Sequence, residues 1–572
     1  MKQHTRTLRL LAALLGTLSL VATACGPTGP TGGGGTAAPE DKPVAGGRLI
    51  EGSFADIKTI QPILVADVPS GTVTGMIYKG MVDFDHKTGE PKPGLAKWSA
   101  SADNLTWTWT FDEKANWSDG KPITAQDWET AVKAIAMSKK TVRKSGFQDI
   151  AGWKDFVDGK ATTISGIKVD SADPKKMTVT FTTVLCSAIV NTFGSYYVLP
   201  THIFGKYVAA GQADAIDTAP ENTAPPVSSG PFVFKEWRKG DQVILTKNPT
   251  YFKGAPLIDE YVFKVVADST VLAAQLKTGE LNYGLVEPKD LADMEAQPNL
   301  KVFKYQALSY TYIGWNVKSQ TAPALQDKRV RQALAYGLDM DAVVKSILFG
   351  QGTKMVAHHP PVSWAFPTSG MNEYKYDKAK AEELIKSAGY AKGADGVFAK
   401  DGKPLEFSIV ANSGNKTRET LLQVATEQYK AIGVKVNAKL EAFETMVDKL
   451  TTGNQEVQGW IIGWSLGLEP DPYGIWHSSQ IPDPAAKKTG FNFGAFTNPD
   501  FNKAIEAGRT GNCSQAERKK NYETFNKILN DEQPYNFGFS PNTLLVTPQS
   551  LRAIDPATFG STWNIEKWWF KQ

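Results

Sequence analysis

Residues 417–436 read TRETLLQVATEQYKAIGVKV, and this stretch decides the fold class. Thr417 to Ile432 reads as a helix, Gly433 ends it, and Val434-Lys435-Val436 begins a strand directly after. Glycine closes a helix well because it takes the left-handed conformation without a Cβ penalty. The same alternation continues on both sides. Asp377 to Ala388 predicts a helix with Ala381, Leu384, Ile385 and Ala388 on one face and Gly389 as terminator. Ser514 and Glu517 form a capping box ahead of Tyr522, Phe525, Ile528 and Leu529. Toward the N-terminus, Thr124 and Asp127 open a helix in which Trp128, Ala131, Val132 and Ile135 recur at helical spacing. Trp107, Trp109 and Phe111 alternate with Thr106, Thr108 and Thr110, the period of a half-buried strand. Arg48-Leu49-Ile50-Glu51 follows Gly46-Gly47 and begins the fold as a strand. The class is mixed α/β, without an internal repeat of fixed period.

The chain has 572 residues, of which 41 % are hydrophobic and 21 % charged. That is ordinary globular composition. Its 15 Trp, 18 Tyr and 27 Phe supply ample core and exclude a mainly disordered chain. Net charge is +4, and Lys2, Arg6 and Arg9 contribute three of those charges, so a basic nucleic-acid binder is excluded. These three residues precede a Leu- and Ala-rich h-region from Leu10 to Val21, and the uncharged apolar run ends near Ala24, about fifteen residues on, short of the roughly 20 that span a bilayer. The small residues Ala22-Thr23-Ala24 then lead into Cys25. The order is that of a secretory signal peptide, residues 1–24. The cysteine that follows resembles a lipoprotein box, which implies a diacylglyceryl-modified Cys25 at the mature N-terminus. Residues 25–46, rich in Gly and Pro, are expected to be a flexible tether. The expected location is the extracytoplasmic face of a bacterial membrane. Cys186 and Cys513 stand 327 positions apart, and two cysteines make no framework, so the reading favours two unpaired, mostly buried thiols.

Several segments in order carry a resemblance to a known family. Tyr78-Lys79-Gly80-Met81-Val82, then Gly94-Leu95-Ala96 and Trp98, form the first, and Trp117 to Ala125 the second. Ser229-Gly230-Pro231-Phe232, Asn248-Pro249-Thr250-Tyr251-Phe252 and Asp327 to Tyr336 follow. Together they resemble the family 5 solute-binding proteins of bacterial ABC importers, the peptide, dipeptide and nickel type. The resemblance implies an α/β, two-lobed, periplasmic-binding-protein-like (type II) fold with an extra accessory subdomain. Lobe I would take residues 47–85, 215–310 and 540–572, the accessory subdomain 86–214 and lobe II 311–539. The ligand would lie between the lobes. The implied partners are an extended solute, most simply a peptide, the membrane permease subunits and the lipid anchor, with the receptor a monomer and no cofactor. Oligosaccharide or nickel-chelate binding is the alternative within the family.

The motifs fit that reading. Gly463-Trp464-Ser465-Leu466-Gly467 matches the G-x-S-x-G elbow of serine hydrolases. The only His after it is His477, twelve residues on, which leaves no room for a triad. The family resemblance instead makes Trp464, Ser465 and Leu466 a backbone partner for a bound peptide. It also puts Ser53 and Phe54 near the ligand. Tyr310, at the lobe crossing, is a candidate to face the cleft. Two prolines make Glu469-Pro470-Asp471-Pro472-Tyr473 an irregular loop among aromatics including Trp476, and such loops read ligands. Gly467 stands where oligopeptide receptors usually carry an Asp for the peptide ammonium, so Glu469 or Asp471 would take that role. His358-His359 before Pro360-Pro361 reads as a solvated loop, and no His or Cys spacing suits a metal. Arg418 reads as a surface helix charge.

Overall fold

The first strand, β1 (Arg48–Ser53), starts where Gly46 and Gly47 turn the chain at positive φ, 123° and 92°. The protein was analysed as a computed structural model that describes residues 42–209, 212 and 214–572. The signal peptide, Cys25 and residues 26–41 of the tether lie outside the described residues. Pro43–Gln572 forms one unit.

β2 (Thr106–Phe111) buries Trp109 and Phe111 on the face its period of two selects. It lies inside a four-stranded sheet between Ala96–Ala100 and Lys176–Thr180. Helix α1 (Ala125–Met137) covers this region, and its N-terminus is held by Asp127. That carboxylate accepts from the backbone N–H groups of Thr124 and Thr201 and from the Trp117 indole, at 2.9, 2.8 and 3.2 Å. The orphan donors of a helix start are thereby satisfied inside the protein. Trp109, Trp117, Trp128 and Phe193 share one buried core with Leu49 of β1.

A twelve-stranded sheet runs through the rest. β3 (Ser309–Trp315), β4 (Glu406–Asn412), β5 (Lys435–Glu441), β6 (Gly459–Ser465) and β7 (Tyr535–Pro548) supply its second half. β5, β4 and β6 are parallel neighbours, and β3 pairs antiparallel with β6 and β7. β7 is 14 residues long. Its first part pairs with β3 and its last part with Leu300–Gln306, while Tyr283–Leu285 links it to β1. The chain therefore crosses between the two halves of the sheet at residues 306–309 and again within β7. The second half carries two further cores, one around Trp315, Leu421 and Tyr429, the other around Tyr312, Trp460 and Phe525.

The helix read at 417–432 is α2 (Lys416–Ala431), and Gly433 ends it at φ 78°. Its first turn is capped twice. Asn415 accepts from the Arg418 N–H at 2.9 Å. Glu287, from the first half of the chain, accepts from the Lys416 and Thr417 N–H groups at 2.9 and 3.1 Å. α3 (Pro499–Arg509) and α4 (Gln515–Glu532) pack against the third core, with Ser514 as the cap of α4.

Two expectations are corrected. Cys186 and Cys513 are joined in a disulfide, with Cα atoms 5.1 Å apart. Folding brings the segment after β2's sheet against the α3–α4 loop, a proximity that a separation of 327 residues does not announce. His358 and His359 are buried, at 2 % and 1 % exposure. The segment is a loop, but α4 and the Glu469–Tyr473 loop close over it.

Candidate functional site

A cavity of about 400 Å³ is lined from both halves of the chain. One wall brings Val65, Asp67, Arg143, Asn191 and Tyr196. The other brings His358, His359, Phe443, Phe491, Phe493, Arg509 and an unbroken run from Ile462 to Gly467. That run has a structural cause. On one edge β6 pairs with β3 along its whole length, but on the other its pairing with β4 covers only Gly459–Ile461. From Ile462 onward the second edge of the strand turns to the cavity. A side-chain face alone would contribute alternate residues, so the four strand residues Ile462 to Ser465 in sequence mark a backbone edge.

Among the residues read from the sequence, Trp464, Ser465, Leu466, Glu469, Asp471 and Tyr473 line the cavity. Trp464 stacks on Phe493 with centroids 5.1 Å apart. Ser465 lies on an extended strand opposite Ser309, not at a strand-to-helix elbow. His477 is bonded to Ser479 at 2.7 Å and faces Glu506 at 3.1 Å. Phe54 reaches the wall indirectly, edge-on to Phe443 at 5.0 Å. Ser53 is buried and donates to the Ala55 carbonyl at 2.8 Å. Tyr310 and Trp476 sit behind the wall, 1 % exposed, and both bond His358 Nδ1, at 2.8 and 3.1 Å. Arg418 turns inward rather than to solvent. It donates to Asn412 at 2.7 Å, and burial lowers its guanidinium to about 10.

The two loop acids have different surroundings. Glu469 is gripped by Arg518 through both guanidinium branches. Burial pushes its carboxyl up to about 7 against the pull of that arginine. Asp471 is 2 % exposed at its side chain and joins a cluster from four segments. It accepts from Ser187 Oγ at 3.1 Å and from the Tyr473 N–H at 3.0 Å, and lies 3.4 Å from Arg509 Nε. Arg509 also faces Asp149 at 3.2 Å and rests on the Tyr473 ring at 4.1 Å. Burial raises the Asp149 carboxyl, and Arg509 opposes that rise. Two carboxylates thus face one guanidinium beside the cavity.

Sequence reading missed Arg509, Ser187, Asn191 and Arg143. Arg509 looks like an ordinary basic residue in the last turn of a helix. Arg143 lines the cavity and donates to the Val65 carbonyl at 2.5 Å. Burial disfavours the charged form of His358 and His359. It takes His359 down to about 4 and also holds His358, beside His359, well below the usual imidazole range. His359 uses both ring nitrogens, toward the Pro470 carbonyl at 2.8 Å and Asn526 at 3.0 Å. Among the described residues no three His, Cys, Asp or Glu are grouped to hold a metal.

Two lobes, two strand crossings and a cavity walled from both sides define a solute-binding protein of the two-lobed periplasmic type. The chain belongs to the bacterial extracellular solute-binding proteins, family 5, whose middle-region profile matches residues 90–483. This is a family of extracytoplasmic binding proteins of ABC importers rather than of enzymes. The chain is 30 % identical over 547 residues to the oligopeptide-binding protein AppA of Bacillus subtilis (strain 168), covering 92 % of each chain. It is 28 % identical to the oligopeptide-binding protein OppA of Lactococcus lactis subsp. cremoris (strain SK11), over 81 % of this chain and 78 % of that one. Among solved structures, AppA from Bacillus subtilis in complex with a nonapeptide superposes at TM-score 0.84. That match has 29 % identity and covers 93 % of this chain and all of the other. NikZ from Campylobacter jejuni in complex with Ni(L-His) superposes at 0.79, with 26 % identity over 91 % of this chain and 99 % of its own.

Proposed function

We propose that this chain is the lipid-anchored peptide receptor of an ABC importer. It closes two lobes on an extended peptide and presents it to a membrane permease without making or breaking bonds. The observation that carries the reading is the open edge of β6 at Ile462–Ser465, turned to the cavity. A peptide laid there gains main-chain hydrogen bonds whatever its side chains, while the aromatic wall of Trp464, Phe491 and Phe493 takes alternate side chains. The paired carboxylates of the Asp149–Arg509–Asp471 cluster suit an α-ammonium, and Asp471, which lines the cavity, is the group proposed to meet it. Backbone edge pairing favours peptide over oligosaccharide or nickel chelate. The division into lobe I (47–85, 215–310, 540–572), accessory subdomain (86–214) and lobe II (311–539) is supported by the crossings at β3 and β7.

Native mass spectrometry of the purified protein is expected to find co-purified peptide. Added peptide should raise Tm, and the gain should grow with concentration by linkage. A Tm indifferent to a broad peptide pool would overturn the reading. For the anchor, Cys25→Ser should leave the protein unprocessed or release it to the medium, since a single lipidated residue is the proposed attachment. Retention of a processed Cys25→Ser chain on salt-washed membranes would count against it.

A further inference from the structure

The Cys186–Cys513 disulfide joins a segment packed on the first core to a loop packed on the third. Cys186 lies between Leu185 and Ala188, members of the first core. Cys513 lies in the loop between α3 and α4, whose Phe501 and Phe525 belong to the third. The bridge is continuous with the site. The Cys186 N–H donates to the Arg509 carbonyl at 2.8 Å, and Leu185 forms a β-bridge with Thr510. The next residue, Ser187, bonds Asp471.

We propose that this disulfide is a redox clasp on the cleft: oxidised, it holds the lobes together at this edge and slows ligand exchange; reduced, it lets the cleft open. The inference rests on the cavity being the ligand site. Other contacts across the cleft are reversible. Gln148 donates to Tyr473 Oη at 3.0 Å, the Asp56 N–H donates to Glu444 at 2.9 Å, and Lys58 pairs with Asp448. Hydrogen bonds and ion pairs of this kind break and reform on the microsecond-to-millisecond scale of domain motion. A disulfide does not. It keeps its Cα atoms within about 4.4–6.8 Å, so from 5.1 Å this edge can part by only about 2 Å. Hinge opening of a two-lobed receptor needs far more. The bond is reachable from solvent, since Cys513 is exposed and Cys186 half-buried. A dithiol reductant breaks it by thiol–disulfide exchange. The S–S bond receives two electrons and two protons to give two thiols, and the dithiol leaves as its own disulfide.

Hydrogen–deuterium exchange on the ligand-free protein tests the clasp. Three forms are compared: the oxidised chain, the chain reduced with dithiothreitol, and Cys186→Ser/Cys513→Ser. Amides of Gly463–Ser465 are the readout, because they lie on β6, which the bridge does not touch. Exchange there should be at least tenfold faster in the reduced and double-serine forms, with a larger radius of gyration in solution scattering. Equal exchange in all three forms would overturn the proposal, as would two free thiols in protein isolated without reductant. If the double variant fails to fold, the reduced wild-type chain carries the comparison. No ligand is added, so failure of peptide binding and failure of the clasp are read separately.

Discussion

Arg518→Met should cost about 3–5 kcal/mol of folding stability, the usual penalty for stranding one partner of a buried ion pair. Both side chains of the Glu469–Arg518 pair are 7 % exposed. Arg518 also donates to the Gly508 carbonyl at 2.8 Å and to Tyr522 Oη at 2.9 Å, and its guanidinium lies over Trp364 at 5.1 Å. Removing it leaves the Glu469 carboxylate in the cavity wall without a cation. Adding Glu469→Gln should recover much of the loss, because the stranded charge goes with it. The pH dependence has a definite sign. Burial raises the folded-state pKa of Glu469 to about 7, above its unfolded value of about 4.3. A carboxyl raised on folding favours the folded state fully below its unfolded pKa, and that contribution is lost as pH rises through the folded pKa. Without Arg518 the folded pKa goes higher still, so the deficit should be smaller at pH 5 and reach the full value of about 3–5 kcal/mol only at pH 8. Urea denaturation at the two pH values measures it. A deficit below about 1 kcal/mol at both would show that the pair contributes little.

Asp471→Asn should weaken binding of free-amine peptides by about tenfold to a hundredfold, the 1.5–3 kcal/mol of a charge-assisted hydrogen bond. Asp471 also accepts from Ser187 and the Tyr473 N–H, so the substitution alone would mix ligand and structural effects. Chemistry on the ligand separates them. N-acetylation removes the ammonium and leaves the protein untouched. Wild type should prefer the free amine by that same factor, and the preference should vanish in Asp471→Asn. The double comparison isolates the pairwise contact. Equal affinity of wild type for acetylated and free peptides, by calorimetry, would remove the ammonium role from Asp471.

Local chemistry was legible without the fold. The helix at 417–432, its glycine stop and the following strand follow from spacing and from the left-handed conformation of Gly433. The Thr124–Asp127 start and the alternating strand at 106–111 are equally local. The family resemblance singled out Trp464–Leu466, and the two prolines made the acidic loop Glu469–Tyr473 legible as irregular structure.

Partnerships across the cleft were decided only by tertiary structure. Asp471 meets Ser187 from 284 positions away, Arg509 reaches the Ser145 carbonyl from 364, and Cys186 reaches Cys513 from 327. Periodicity and capping report on neighbours within a turn or two of chain and carry no trace of such pairs. The same limit explains Tyr310 and Trp476, whose aromatic character suits a ligand wall and a core equally until packing around His358 assigns them to the core. It explains the histidines as well. A His-His-Pro-Pro run looks like solvated loop, and only the closing of α4 and the Pro470 carbonyl over it makes burial the winning term. Residue type and spacing set the elements, while the edge of β6 facing the cavity is set by where its pairing with β4 stops. Which charges, thiols and rings stand opposite one another depends on how the two halves of the sheet meet.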